Sequence, residues 1–92
     1  MKILILEDDE LVADLLETVV SGLYPGSQTL ICDQLSEAVD AWNQGPSGLV
    51  ITDLNLPDGS GLTLVKAVRR TSREIPVVVI SGRSDRESIL TA

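Results

Sequence analysis

Leu49-Val50-Ile51-Thr52-Asp53 is a short apolar run that ends on a carboxylate. The chain opens on the same pattern, with Ile3-Leu4-Ile5-Leu6 running into Glu7-Asp8-Asp9-Glu10. Runs of this length and composition read as strands buried on both faces, which is the signature of a parallel sheet. Strands running the same way place Asp53 and the Glu7–Glu10 acids at one carboxyl edge, where open α/β sheets bind ligands. Carboxylates gathered at one edge repel one another unless a cation joins them, so the pattern points to a divalent-metal site with one carboxylate left for chemistry.

Working outward from these two runs, strand and helix patterns alternate. Residues 10–23 carry apolar side chains at 11, 12, 15, 16, 19, 20 and 23, which predicts a helix burying that stripe, with acids at its start and Asp9 as its cap. Tyr24-Pro25-Gly26-Ser27 ends it, and Thr29-Leu30-Ile31-Cys32 reads as the second strand. Leu35, Ala38, Val39 and Trp42 share a face of a second helix, with Ser36 or Asp33 available to cap it. Gly45-Pro46-Ser47-Gly48 is a turn cluster before the run to Asp53. A third helix is expected from about 62 to 73. Pro76-Val77-Val78-Val79-Ile80 reads as a fourth strand buried on both faces, and 85–90 as the opening of a fourth helix. The alternation predicts a doubly wound parallel sheet with right-handed crossovers and helices on both faces.

Composition bounds the function. Fourteen acids against seven bases give a net charge of -7, with no basic stripe to neutralise phosphates, which argues against nucleic-acid binding. No stretch is long and apolar enough to span a bilayer, and the early acids rule out a signal peptide, so no membrane association is expected. A single cysteine, Cys32, fits a reducing cytoplasm, and the absence of histidine removes the commonest general base and zinc ligand. Hard oxygen ligands suit Mg²⁺, which takes few carboxylates and completes its shell with waters and phosphate oxygens. A carboxylate can also act as a nucleophile toward phosphorus. Ser81, at the end of the fourth strand, is placed to hydrogen-bond a transferred phosphoryl group, and Gly82 leaves access open.

The acidic pair after the first strand, the segment Asp53-Leu54-Asn55-Leu56-Pro57-Asp58-Gly59-Ser60-Gly61, and Ile80-Ser81-Gly82 together resemble the CheY-like receiver domain of bacterial two-component response regulators. The match runs in order over the whole chain. The resemblance implies a flavodoxin-like sheet in the order 2-1-3-4(-5). It implies that Asp53 accepts a phosphoryl group from a histidine kinase or phosphotransfer protein with Mg²⁺ as cofactor. Asp8 would be a direct metal ligand, Glu7 would act nearby through water, and Asn55 would lend its backbone carbonyl. Ser81 would be the switch hydroxyl, Asn55 and Arg83 would tune dephosphorylation, and Pro57 and Gly61 would shape the acceptor loop. Asp58 reads as a turn former.

The family's fifth strand, with its phosphate-contacting lysine and an aromatic, and its last helix have no counterpart in these 92 residues; Lys2 and Lys66 are the only lysines. Residues 1–92 are therefore read as a receiver cut off after the start of its fourth helix. Its Val77–Ile80 strand would then be an open edge through which two copies dimerise. A receiver-fold interaction module that no longer switches is the alternative from a different class. A flavin-binding protein of this topology is set aside, because four acids after the first strand repel phosphate.

Overall fold

The structure, a computed structural model, describes residues 1–81 and 89–91. Its elements run β1 (Lys2–Leu6), α1 (Glu10–Leu23), β2 (Gln28–Cys32), α2 (Leu35–Gln44), β3 (Leu49–Asp53), β4 (Asn55–Leu56), β5 (Gly59–Ser60), α3 (Leu62–Thr71), β6 (Val77–Ile80) and β7 (Ile89–Thr91). The main sheet has the order β2-β1-β3-β6-β7. Its first four strands are parallel, in the order the resemblance implied.

Alternation along these strands splits the core into two layers, because successive side chains point to opposite faces. Leu4, Leu6, Val50, Val77 and Val79 pack beneath α2 and α3 with Trp42, Leu64 and Val68. Ile3, Ile5, Leu49 and Ile51 face α1 and pack with Val20. All five residues of β3 are buried, so the strand that delivers Asp53 is the most enclosed in the sheet. Each fully buried Val, Leu or Ile contributes roughly 1.5–3 kcal/mol. Trp42 is core, as its spacing implied, and its Nε1–H donates to Thr71 Oγ1 at 3.4 Å, tying α2 to α3.

Three expectations change. First, α1 does not bury its whole apolar stripe. Ala13 and Val20 are buried and Val12 and Leu16 half-buried, while Leu11, Leu15, Val19 and Leu23 lie exposed. Seven apolar positions at these spacings form two adjacent rows, and a helix lying on a sheet buries only the row that faces it. Second, β6 is fully enclosed on one face only: Val77 and Val79 are buried, while Val78 and Ile80 are half-buried, Val78 packing against the Ile3 layer.

Third, residues 89–91 do not continue a fourth helix. They form β7, antiparallel to β6, with Ile80 opposite Ile89 and Val78 opposite Thr91. The unpaired N–H and C=O groups along β6 are a template for any extended segment, and the chain itself fills it. The open edge on which a homodimer through Val77–Ile80 was expected is thus occupied. Residues 82–88, which include Gly82, Arg83 and the start of the expected helix, lie outside the described residues.

Charge is unevenly distributed. Among the described residues, Lys66, Arg69, Arg70 and Arg73 cluster on α3 and just beyond it, apart from the residues that line the carboxylate cleft. The Arg69 guanidinium is held there by the Ser72 carbonyl at 3.3 Å and the Ile75 carbonyl at 2.8 Å, closing the turn from α3 into β6.

Candidate acceptor and metal site

Parallel pairing sets the carboxyl ends of β1, β3 and β6 side by side: Leu6 lies opposite Thr52, and Asp53 opposite Ile80. The next residues, Glu7 and Asp8, therefore arrive beside Asp53. One carboxylate oxygen from each of Glu7, Asp8 and Asp53 falls within 4.8 Å of the others. The three line a cleft of about 370 Å³ with Asp9, Val12, Asn55, Leu56, Pro57 and Ile80. Glu7 and Asp53 are buried at its floor, and Asp8 is exposed at its mouth.

Glu7, Asp9 and Asp53 each have a distinct local tether. Asp9 caps α1, its Oδ1 accepting from the Leu11 N–H at 2.9 Å and the Val12 N–H at 3.4 Å, as the sequence suggested. The Asp9 N–H in turn donates to Glu7 Oε2 at 3.0 Å. Asp53 Oδ1 accepts from the Leu54 N–H at 2.7 Å and the Asn55 N–H at 3.4 Å, which fixes the rotation of the carboxylate. The Leu54 N–H is shared with the Ile80 carbonyl at 2.9 Å, so the acceptor loop is stitched to β6 as well.

Gly61, at the start of α3, passes directly behind Asp53. A Cβ there would overlap the Asp53 carbonyl oxygen and stand 2.6 Å from Thr52 Oγ1. Its φ is -60°, so closeness rather than backbone freedom demands glycine. The loop it closes is a hairpin: β4 and β5 pair antiparallel, Asn55 opposite Ser60, and the Gly61 N–H donates to the Leu54 carbonyl at 2.9 Å.

The electrostatics bear on a cation. Burial, with the nearby charges of Asp53 and Asp8 and a carboxyl–carboxyl hydrogen bond to Asp53, raises the pKa of Glu7 from 4.5 to about 7; the Asp9 N–H opposes this. A carboxyl group that holds its proton because it is buried, with two other carboxylates beside it, belongs to a donor set short of positive charge, and the residues fit a hard divalent ion. A measurable consequence follows from the direction of the shift. The folded metal-free protein holds the Glu7 proton more tightly than the unfolded chain does. This contribution to stability is complete below about pH 4.5 and is lost as the pH rises through about 7. With EDTA present, unfolding free energy is expected to fall by about 1–2 kcal/mol between pH 5 and 8, allowing for solvent screening at the cleft. Glu7→Gln flattens that slope, and an unchanged slope in this variant would contradict the assignment.

The chain matches the family model described as the response regulator receiver domain over residues 3–92. The chain belongs to this family. The receiver shares 32% identity over 92 residues with the glycerol metabolism activator of Pseudomonas putida, covering 99% of this chain and 42% of that protein. It is 31% identical over 98 residues to chemotaxis protein CheY1 of Helicobacter pylori, covering all of this chain and 76% of that one. Among solved structures, the CheY-like receiver domain from Methylobacillus flagellatus superposes with a TM-score of 0.74 at 33% identity, covering 90% of this chain and 70% of that one. The receiver spans 42% of the length of the Pseudomonas protein and 38% of the regulator KdpE of Staphylococcus aureus. Such receivers are signalling modules of two-component systems, many of them transcription regulators, rather than turnover enzymes.

Of the residues singled out from the sequence, Glu7, Asp8, Asp53, Asn55 and Pro57 line one cleft. Ser81 is buried and follows Ile80 directly, one position beyond the residue paired with Asp53. Gly61 supports the acceptor from behind. Sequence reasoning missed Asp58. Its carboxylate accepts from the Leu35 N–H at 2.7 Å and the Ser36 N–H at 3.1 Å, and so caps α2 from a hairpin more than twenty residues away. Neither Ser36 nor Asp33 serves as that cap, and Gln34, at the cap position, makes no side-chain bond to the helix. These two N–H donors hold the Asp58 carboxyl below its usual range. The signal available in the sequence was negative: no good cap stands at position 34.

Proposed function

We propose that this receiver is a phosphoacceptor switch in which Asp53 takes a phosphoryl group from the phosphohistidine of a sensor kinase or phosphotransfer protein. The observation that carries the reading is the convergence of Glu7, Asp8 and Asp53 within 4.8 Å at one sheet edge. An Asp53 carboxylate oxygen attacks phosphorus as the bond from phosphorus to the donor's imidazole nitrogen breaks, and that electron pair leaves with the imidazole. The product is an acyl phosphate. Bound Mg²⁺ would neutralise charge on the transferring phosphoryl oxygens. Asp8, Asp53 and the backbone carbonyl of Asn55 would hold the ion directly and Glu7 through water.

The Leu54 and Asn55 amides keep the Asp53 carboxylate in one orientation, which suits in-line attack. Ser81 would turn its hydroxyl to the new phosphate. Asn55 and Arg83 would set how fast water removes it, Gly82 would leave the approach open, and Pro57 and Gly61 would hold the loop. The protein would work in the cytoplasm, where such kinases present their phosphohistidine; no helix among the described residues is long and apolar enough to cross a membrane. The names of the relatives point to control of transcription as the output.

The test is intact mass after incubation with acetyl phosphate, with Mg²⁺ and with EDTA. A gain of one phosphoryl group in the Mg²⁺ sample only supports the reading; no gain in either overturns it.

A further inference from the structure

The Asp58 bond to α2 does more than satisfy a helix end. Asp58 sits on the hairpin that follows the acceptor, five positions beyond Asp53, with Gly61 against the Asp53 carbonyl on the hairpin's other arm. Its two oxygens take the first two N–H groups of α2, one each. The next residue, Gly59, has φ +150° and lies so close to Leu35 that a Cβ would stand 2.8 Å from Leu35 Cδ2. Two separate contacts, one polar and one apolar, thus fasten the hairpin tip to the first turn of α2. Leu54 and Leu56 of the same loop pack on the core that Leu35 and Val39 border, so the tie has a packed base. An ordinary local cap at position 34 would satisfy α2 without engaging the acceptor loop at all.

We propose that Asp58 is a positioning residue for the phosphoryl-transfer site, holding the loop that carries Asp53 and Asn55 by bonding it to the N-terminus of α2. This rests on the reading of Asp53 as acceptor, and it adds a residue outside the cleft to the machinery. With the tie intact, the Leu54 and Asn55 amides stay aimed at Asp53 Oδ1 and the Asn55 carbonyl stays placed for the metal. With the tie cut, the hairpin loses its only polar attachment to α2 among the described residues' hydrogen bonds, and both groups gain freedom. The same bond runs in reverse: a change at the acceptor that moves the hairpin pulls on the start of α2.

The experiment separates positioning from capping with two variants. Asp58→Ala removes the tie and the cap; Asp58→Ala with Gln34→Asp restores a cap from the helix's own cap position and leaves the tie cut. Amide hydrogen exchange at Leu35 and Ser36 and at Leu54, Asn55 and Gly61 is followed by NMR, with Mg²⁺ affinity by calorimetry and phosphoryl gain by mass. In the double variant, Leu35 and Ser36 are expected to regain protection and the melting temperature to recover. Exchange at Leu54 and Asn55 is expected to stay faster than in the parent, and Mg²⁺ affinity to stay about three- to ten-fold weaker, below the loss typical of groups bonded directly to a ligand. Recovery of loop protection and affinity along with the cap overturns the proposal, as does a single variant whose loop exchange matches the parent. Should the parent bind no Mg²⁺ and gain no phosphoryl group, the acceptor reading fails by itself, and exchange at Leu54 and Asn55 still decides whether Asp58 holds the loop.

Discussion

Asp53→Asn is expected to abolish phosphoryl gain from acetyl phosphate while leaving the fold intact. The amide oxygen of asparagine can accept the Leu54 N–H as Asp53 Oδ1 does at 2.7 Å, so the loop keeps its shape. What disappears is the negative charge and with it the nucleophile. Removing one of three crowded carboxylates also relieves Glu7, whose pKa is raised in part by the charge of Asp53. Three measurements should therefore move together. Mass shows no phosphoryl adduct. Mg²⁺ affinity drops by about ten-fold or more, since a hard ion loses an anionic ligand. The metal-free protein at pH 7 becomes more stable, by on the order of 1 kcal/mol, because like charges no longer face each other. An adduct that persists in this variant would place the acceptor elsewhere.

Gly61→Ala is expected to be among the most damaging single-methyl additions in the molecule. The new Cβ would collide with the Asp53 carbonyl oxygen and press on Thr52 Oγ1, and neither is the movable end of a flexible chain. Thr52 is fully buried and its hydroxyl donates to the Asp53 carbonyl at 2.9 Å. Relief must come from moving the end of β3 or the start of α3, which breaks the Gly61 N–H bond to the Leu54 carbonyl. Overpacking of this kind costs about 3 kcal/mol. Urea unfolding would read the loss, and the displaced Asp53 should gain phosphate slowly even where the variant still folds. A variant with parental stability and parental phosphorylation would show that the loop yields more easily than its contacts imply.

Much of this architecture was legible because the apolar runs are short, clean and separated by turn residues. The run Leu49–Thr52 reads as a strand buried on both faces, and it is buried throughout. The bounds of α1 followed from Asp9 and the Tyr24-Pro25-Gly26 break. The site was legible for the same reason, since parallel strands must bring their carboxyl ends together. The failures share one cause: they depend on partners distant in sequence. The row of Leu11, Leu15, Val19 and Leu23 is as apolar as the buried row beside it, so nothing local tells which one meets the sheet. The β4–β5 hairpin has strands of two residues, too short for any period to show. The cap on α2 comes from Asp58, and local reading could only offer neighbours such as Ser36 and Asp33. Residues 89–91 carry a helical pattern with their predecessors, yet an unpaired strand edge outweighs weak local preference.

The placement of charge has a kinetic consequence. Among the described residues, Lys66, Arg69, Arg70 and Arg73 gather on one patch and Glu7, Asp8, Asp9 and Asp53 around the cleft, so cationic and anionic groups are segregated. These four acids line the cleft, and a single divalent ion there leaves the whole chain net negative. A small anionic phosphodonor must climb that potential to reach Asp53. Added salt flattens the climb, so its reaction rate rises with ionic strength. A protein donor that presents a cationic rim is drawn down the same gradient, and its rate falls as salt is added. The sign of that slope reports the charge of the face that meets the cleft.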